Sequence, residues 1–146
     1  MYRRIVLAYD GSESGQRALL DSREIAQWSQ SELFLVAVMP LANTYLPVEG
    51  GFYEDANREA ADRKRFEDIL AEGSRRLSDS GFATHGEVLV GDAVYAITEY
   101  ARSVKADLIV VGHRHNESWA ARWWRGSTAR ALIEHAHCSV LVVITN

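Results

Sequence analysis

The sequence has 146 residues, the usual size of one domain, and 47% of them are hydrophobic, which excludes a disordered chain. Its formal net charge of -4 argues against a general nucleic-acid binder, and no apolar run approaches the ~20 residues of a membrane span. We therefore expect one domain over residues 1–146 that binds neither nucleic acid nor a membrane.

The cysteine content and the first residues bear on the compartment. Cys138 is the single cysteine, so no internal disulfide can form, and the chain starts with Met1-Tyr2-Arg3 and no signal-peptide pattern. We expect a cytoplasmic protein in which Cys138 is a buried, unreactive thiol.

Five short apolar runs predict strands that are buried on both faces. They cover residues 5–9, 33–39, 85–90, 108–111 and 140–144. Four stretches with helical spacing separate them. The first ends near Ser29, the second spans residues 57–80, the third starts at Asp92 as its N-cap, and the fourth starts at Gly126.

A long connection over residues 40–55 precedes the second helix. Its aromatic side chains include Tyr45, Phe52 and Tyr53. Loops of this length in compact domains are usually functional or disordered. Two interpretations remain open: a lid or partner contact, or side chains that pack back on their own surface.

The element order βαβαβαβαβ predicts the fold class. Apolar strands that alternate with helices are typical of an α/β protein whose parallel sheet is covered on both faces. We predict a doubly wound, Rossmann-like, five-stranded parallel sheet in the order 3-2-1-4-5, with strands 1 and 4 adjacent at the topological switch point. Ligands bind there at the carboxyl ends of the strands, and those ends are Asp10 and Gly112.

Polar residues in two places face this predicted crevice. Gly126-Ser127-Thr128 stands where the last helix must start, and the free N–H groups and positive dipole of a helix start suit a phosphate. Asp10 can accept a hydrogen bond from a ribose hydroxyl. The alternative in both places is helix capping, by Ser127 or Thr128 and by Asp10.

Several of these stretches resemble the universal stress protein family, along essentially the whole chain. The similar segments are Ile5-Val-Leu-Ala-Tyr-Asp10-Gly-Ser, Gly91-Asp92, Ala106-Asp107-Leu-Ile-Val-Val-Gly112, Gly126-Ser127 and Cys138-Ser-Val-Leu-Val-Val. The resemblance implies a small α/β protein, normally a homodimer, that serves stress survival. Many members bind ATP through the motif Gly-x2-Gly-x9-Gly-Ser/Thr, and another branch lacks that motif and does not bind ATP.

The nucleotide motif is incomplete in this sequence. Gly112 and Gly126-Ser127 match its two ends, but His115 stands at the second glycine, and ten residues rather than nine separate it from Gly126. Asn116 has the nine-residue spacing, with one extra residue after Gly112, and asparagine tolerates a left-handed backbone better than most residues. With His115 or Asn116 in the place of the second glycine, the resemblance implies a nucleotide site with two parts. Ala8, Asp10 and Val38 would contact the adenosine, and the phosphates would lie at Val111, Gly112, Gly126, Ser127 and Thr128.

The loop after strand 4 carries three further sets of residues. The arginines, Arg114, Arg122 and Arg125, either supplement a phosphate site or are solvated. The tryptophans, Trp119, Trp123 and Trp124, are better explained by a packed lid or a subunit contact than by catalysis. The histidines, His113 and His115, do not complete a metal site, which needs three or four ligands, so no metal is predicted.

The predicted function is a stress-response module that binds ATP, with Mg²⁺, or a related adenine nucleotide at the switch-point crevice. We do not expect the protein to be an enzyme, because no nucleophile–base pair is recognisable in its sequence. Slow hydrolysis of ATP remains an open alternative. The alternative is a dimeric interaction or scaffold protein of the same family whose nucleotide site has lapsed. A homodimer through the last strand is expected, because residues 138–144 are apolar and lie at a predicted sheet edge.

Overall fold

A computed structural model of the protein describes residues 2–40, 52–114 and 128–145. The elements in chain order are β1 (Arg4–Ala8), α1 (Glu13–Ser29), β2 (Glu32–Met39), α2 (Phe52–Asp79), β3 (Thr84–Val90), α3 (Ala93–Ser103), β4 (Leu108–Arg114), α4 (Thr128–His135) and β5 (Ser139–Thr145). In the described ranges no helix is both long and apolar enough to cross a membrane.

The five strands form one parallel sheet in the order β3-β2-β1-β4-β5, which confirms the predicted fold class and strand order. In the register at the centre of the sheet, Ala8 of β1 lies opposite Val36 of β2 and Val111 of β4. The chain order therefore reverses between β1 and β4, where the switch point was predicted.

Alternating side chains divide the core into two layers, one on each face of the sheet. Ile5 and Leu7 of β1, and Tyr9 just after it, point to the layer that α1 and α2 cover. Val6 and Ala8 point to the opposite layer, which is covered by α3 and α4. Both layers extend to the carboxyl ends of the strands, where Ala8 and Tyr9 are buried, so the core fixes the positions of the residues at those ends.

Side-chain caps start two of the helices. Ser12 is the N-cap of α1 and accepts a hydrogen bond from the Gly15 N–H at 3.1 Å. Asp92 is the N-cap of α3, as predicted, and accepts one from the Tyr95 N–H at 3.0 Å. Each cap satisfies a backbone donor that the helix leaves without an internal partner.

Two element boundaries differ from the predictions. The helix α2 begins at Phe52, so residues 52–55 belong to a helix and not to the long connection; residues 41–51 lie outside the described ranges. No glycine or proline lies between Phe52 and Glu72, so nothing in this part of the sequence interrupts the helix. The strand β4 continues past Gly112 to Arg114, because β5 supplies backbone partners as far as the pair Arg114 and Thr145.

The buried Tyr9 provides a prediction about alkaline pH. Its side chain is 0% exposed, and within the described part of the chain its hydroxyl has no hydrogen-bond partner. Burial raises the pKa of Tyr9 above its usual value, and the neighbouring Glu72 raises it further. The folded pKa therefore exceeds the unfolded one, so this contribution to stability is present below about pH 10 and is lost as the pH rises further.

We expect Tyr9→Phe to lose less stability than the wild type between about pH 8 and about pH 10.5, because phenylalanine has no proton to release. Urea unfolding at the two pH values measures the difference. Tyr100, whose pKa burial also raises, is present in both proteins, so its contribution cancels. Parallel losses of stability in the two proteins would contradict the prediction.

Candidate functional site

The candidate site has an apolar part at the carboxyl ends of three neighbouring strands. Ala8, Val38 and Val111 come from β1, β2 and β4 and belong to one hydrophobic cluster on the α3/α4 face of the sheet. Their exposed fractions are 3%, 2% and 0%. The structure thus brings together these three of the predicted site residues, as an apolar floor that is already well covered.

Asp10 lies at the same end of the sheet, two residues after the last residue of β1. Its Oδ1 accepts hydrogen bonds from the N–H of Ser12 at 2.9 Å and from the hydroxyl of Ser12 at 2.5 Å. Ser12, and not Asp10, is therefore the N-cap of α1. The alternative in which Asp10 itself caps the first helix is wrong, because the Asp10 carboxylate closes the turn that precedes the cap.

Gly112 is the point at which β4 touches the start of α1. A Cβ added to Gly112 would overlap the carbonyl of Ser14 and would lie 2.9 Å from the backbone nitrogen of Gly15. The lack of a side chain is required by this close approach. The resemblance implied a phosphate-side role for Gly112; the structure adds a packing role.

Gly15 makes a second close approach in the same place. A Cβ at this position would lie 2.6 Å from Oδ1 of Asp10 and 3.3 Å from the hydroxyl oxygen of Ser12. Asp10 and Gly112 are thereby linked through the first turn of α1. The structure thus places both residues at the same end of the sheet, as the predicted strand order required.

The predicted phosphate side falls largely outside the described residues. His115, Asn116, Gly126 and Ser127 lie there, as do the three tryptophans, Arg122 and Arg125. Thr128 is the first described residue of α4, and the predicted helix start at Gly126 lies outside the described ranges. The roles predicted for these residues at a phosphate remain predictions.

The described residues also bear on the predicted absence of a metal. Within residues 2–40, 52–114 and 128–145, no group of three or more His, Cys, Asp and Glu side chains is placed to hold a metal ion. His113 is half-buried near the end of β4, and its partner in the predicted histidine pair, His115, is outside the described ranges. The metal prediction stays a prediction.

Cys138 is half-buried before β5. Burial raises the pKa of this thiol, and the carboxylate of Asp107 raises it further. A thiol with a raised pKa holds little of the reactive thiolate near neutral pH. This agrees with the expectation of an unreactive cysteine, although its side chain is only partly buried.

Three residues near Asp10 have a part in the site that the sequence did not single out. In the sequence, Ser12 and Ser14 stand out only as members of the polar turn at residues 10–14, which offers several candidate caps, and Gly15 does not stand out at all. The spacing Asp10-Gly11-Ser12 is a usable signal, because Asp side chains commonly bond to the backbone two residues on. The contact between Gly15 and Asp10 has no signal in the sequence.

Comparison with known proteins gives one consistent result. Residues 1–143 match the model of the universal stress protein family. The chain is 31% identical over 144 residues to a universal stress protein of Methanocaldococcus jannaschii, covering 98% of this chain and 82% of the relative.

Solved structures give the same result. A universal stress protein family member from Burkholderia pseudomallei superposes with a TM-score of 0.78 at 26% identity, covering 97% of this chain and 96% of the other. A universal stress protein solved in complex with cAMP superposes with a TM-score of 0.64 at 28% identity, again over 97% and 96% of the two chains.

Proposed function

We propose that this chain, which belongs to the universal stress protein family, binds ATP or a related adenine nucleotide in the crevice at the carboxyl ends of β1 and β4. The proposal makes it a stress-response binding module and not a dedicated enzyme. A cytoplasmic location, expected from the sequence, is part of the proposal. The family relative that was solved with cAMP supports an adenine nucleotide as the class of ligand.

One observation carries the proposal: Asp10, which follows β1, and Gly112, in the neighbouring strand β4, both lie against the first turn of α1, at the sheet end where Ala8, Val38 and Val111 form the apolar floor. An adenine ring needs apolar contact and a ribose needs hydrogen-bond acceptors, and residues of both kinds lie at this end of the sheet. This grouping supports the adenosine half of the proposed site. For the phosphates and Mg²⁺ we propose Gly126, Ser127 and Thr128, with His115 or Asn116 in the place of the second glycine.

Calorimetric titration with ATP and Mg²⁺ tests the proposed function. We expect the wild type to bind, and Asp10→Ala and Ser127→Ala each to lose about 1–3 kcal/mol, the scale of a hydrogen bond that involves a charged group. Glu13→Ala serves as the control, because Glu13 is an exposed neighbour of the site with no proposed contact.

Absence of heat and of a thermal shift in the wild type would contradict nucleotide binding. Equal binding by all four proteins would mean that a nucleotide site exists elsewhere on the protein. A loss of affinity in Asp10→Ala alone would support the adenosine half of the site and would show that the phosphates do not bind at Ser127.

A second candidate function is the dimeric interaction protein with a lapsed site. It is favoured by the burial of the apolar floor, since Ala8, Val38 and Val111 are at most 3% exposed. Under this alternative the floor is simply core, and no ring contacts it. The same titration separates the two functions, because the alternative predicts no heat with any adenine nucleotide.

Both functions include a homodimer that pairs β5 with β5 of a second copy. The strand lies at an edge of the sheet, and an edge strand offers backbone N–H and C=O groups for pairing. Ile144 on this strand and Ile133 on α4, the preceding helix, are each 62% exposed. Apolar side chains that flank an open edge favour a symmetric interface.

We expect Ile144→Asp to weaken dimerisation roughly tenfold or more, because it places one charge from each copy in an apolar interface. Sedimentation at micromolar concentration measures the change. Tyr95→Asp is a suitable control, since Tyr95 is 69% exposed on α3, away from this edge. A wild-type monomer, or a dimer that Ile144→Asp leaves intact, would contradict pairing through β5.

A further inference from the structure

A chain of hydrogen bonds runs from the start of α1 to the carboxylate of Asp10. The hydroxyl of Ser12 lies 2.5 Å from Oδ1 of Asp10 and 3.1 Å from the hydroxyl of Ser14. The N–H of Gly15 donates to the same Ser12 oxygen at 3.1 Å. Ser14, at the far end of the chain, is 7% exposed.

The direction of each hydrogen bond follows from the number of protons. A carboxylate can only accept, so the single proton of the Ser12 hydroxyl goes to Asp10. Ser12 must then be the acceptor from Ser14, which leaves Ser14 as the donor. With one donated and two accepted bonds, the Ser12 hydroxyl has its full complement of partners, and its orientation is set.

Both bonds that Asp10 accepts from Ser12, from its hydroxyl and from its N–H, fall on one oxygen, Oδ1. Two donors on one oxygen restrict the rotation of the carboxylate and leave Oδ2 as the oxygen that accepts no hydrogen bond from the described residues. Gly15 makes room for this arrangement, because a Cβ at that position would lie 2.6 Å from Oδ1. The carboxylate is thus oriented before any ligand arrives, which lowers the ordering cost of binding.

We propose that Ser12, supported by Ser14, is a positioning residue that aims Oδ2 of Asp10 at the hydroxyl groups of a ribose. The proposal rests on the nucleotide-binding function proposed above. Ser12 itself does not touch the ligand. It makes the site selective for ligands that carry ribose hydroxyl donors, because an oriented acceptor discriminates against a ligand without the donor.

The ratio of two affinities tests this role. Calorimetry with ATP and with 2′,3′-dideoxy-ATP, each with Mg²⁺, gives the preference for ribose hydroxyls in one protein. We expect a wild-type preference of roughly tenfold or more, and its near disappearance in Asp10→Ala, the reference variant. A change in overall stability alters both affinities together and leaves their ratio unchanged.

Four variants separate positioning from helix capping. Ser12→Gly and Ser12→Ala both remove the donor hydroxyl, while glycine keeps most of the capping stability and alanine does not. We expect both to lower the ribose preference several-fold despite their different melting temperatures. Ser12→Thr, which keeps the hydroxyl, should retain the wild-type ratio, and Ser14→Ala should cause a smaller loss than either Ser12 variant.

The outcomes distinguish this inference from the proposed function. If the wild type binds ATP with a ribose preference that Ser12→Gly and Ser12→Ala leave unchanged, the positioning role is wrong and the proposed function stands. If the wild type prefers neither ligand, Asp10 does not read the ribose and the positioning role is also wrong. If the wild type binds neither ligand, both proposals fail.

Discussion

Gly112→Ala is expected to lower the free energy of unfolding by about 3 kcal/mol or more, the upper range for an overpacked core position. The added Cβ would overlap the Ser14 carbonyl and press on the Gly15 nitrogen at 2.9 Å. These are backbone atoms in the first turn of α1 and cannot move as the end of a flexible side chain can. Relief requires α1 to shift relative to β4.

Urea unfolding followed by circular dichroism measures this effect. Gly86→Ala in β3 is the matched control, because a Cβ there would meet the Ser74 hydroxyl at 3.3 Å and the Leu70 side chain at 3.4 Å. Side chains can adjust by a few tenths of an ångström, so we expect a change below about 1 kcal/mol. A Gly112→Ala protein as stable as Gly86→Ala would show that β4 and α1 do not approach as described.

Asp107→Ala is expected to lower the free energy of unfolding by about 3 kcal/mol, the sum for two hydrogen bonds that involve a charged group. Oδ2 of Asp107 accepts from the Arg3 N–H at 2.8 Å, and Oδ1 accepts from the Arg4 N–H at 3.0 Å. The Asp107 N–H in turn donates to the Arg4 carbonyl at 3.0 Å. This carboxylate joins the starts of β1 and β4, the two strands that flank the switch point.

Two further variants sharpen the measurement. Asp107→Asn keeps one oxygen acceptor without the charge and should lose about half as much stability. Asp79→Ala removes the same acidic group from a side chain that is 69% exposed and pairs with Arg75 at 3.8 Å, and it should change stability by less than about 0.5 kcal/mol. A loss at Asp107 no larger than that at Asp79 would contradict the bridging role.

The central strands were predictable because a strand that is buried on both faces needs a continuous apolar run. Residues 5–9, 33–39 and 108–111 are such runs, and all three became central strands with side chains that are at most 8% exposed. The helices between them carry apolar residues at helical spacing, which α/β topology places on the two faces. Because strands alternate with helices and βαβ crossovers are right-handed, few strand orders remain possible.

The boundaries were less predictable, for identifiable reasons. The end of β4 was expected at Gly112, because glycine ordinarily interrupts a strand and polar residues follow it. The ladder with β5 extends it through His113 and Arg114, and backbone pairing does not depend on side-chain polarity. The helix α2 similarly begins at Phe52, before its apolar face becomes recognisable.

At the candidate site, the sequence by itself determined the residue types and the end of the sheet at which they gather. Asp10 and Gly112 could be placed at one switch point because each follows a buried strand and the helical crossovers make all five strands parallel. The resemblance added Ala8, Val38 and Val111, and the structure places them in one cluster. None of these inferences needed a distance.

Only the tertiary structure decided what each of these residues touches. Ser12 rather than Asp10 caps α1, and the nearby Ser14 is buried. Gly112 lets the first turn of α1 pack directly against β4, because it has no side chain. Gly112 and Ser14 are far apart in the chain, and their contact depends on how closely a helix settles on a sheet. That distance results from the packing of the whole α1/α2 layer, so no local pattern of residues encodes it.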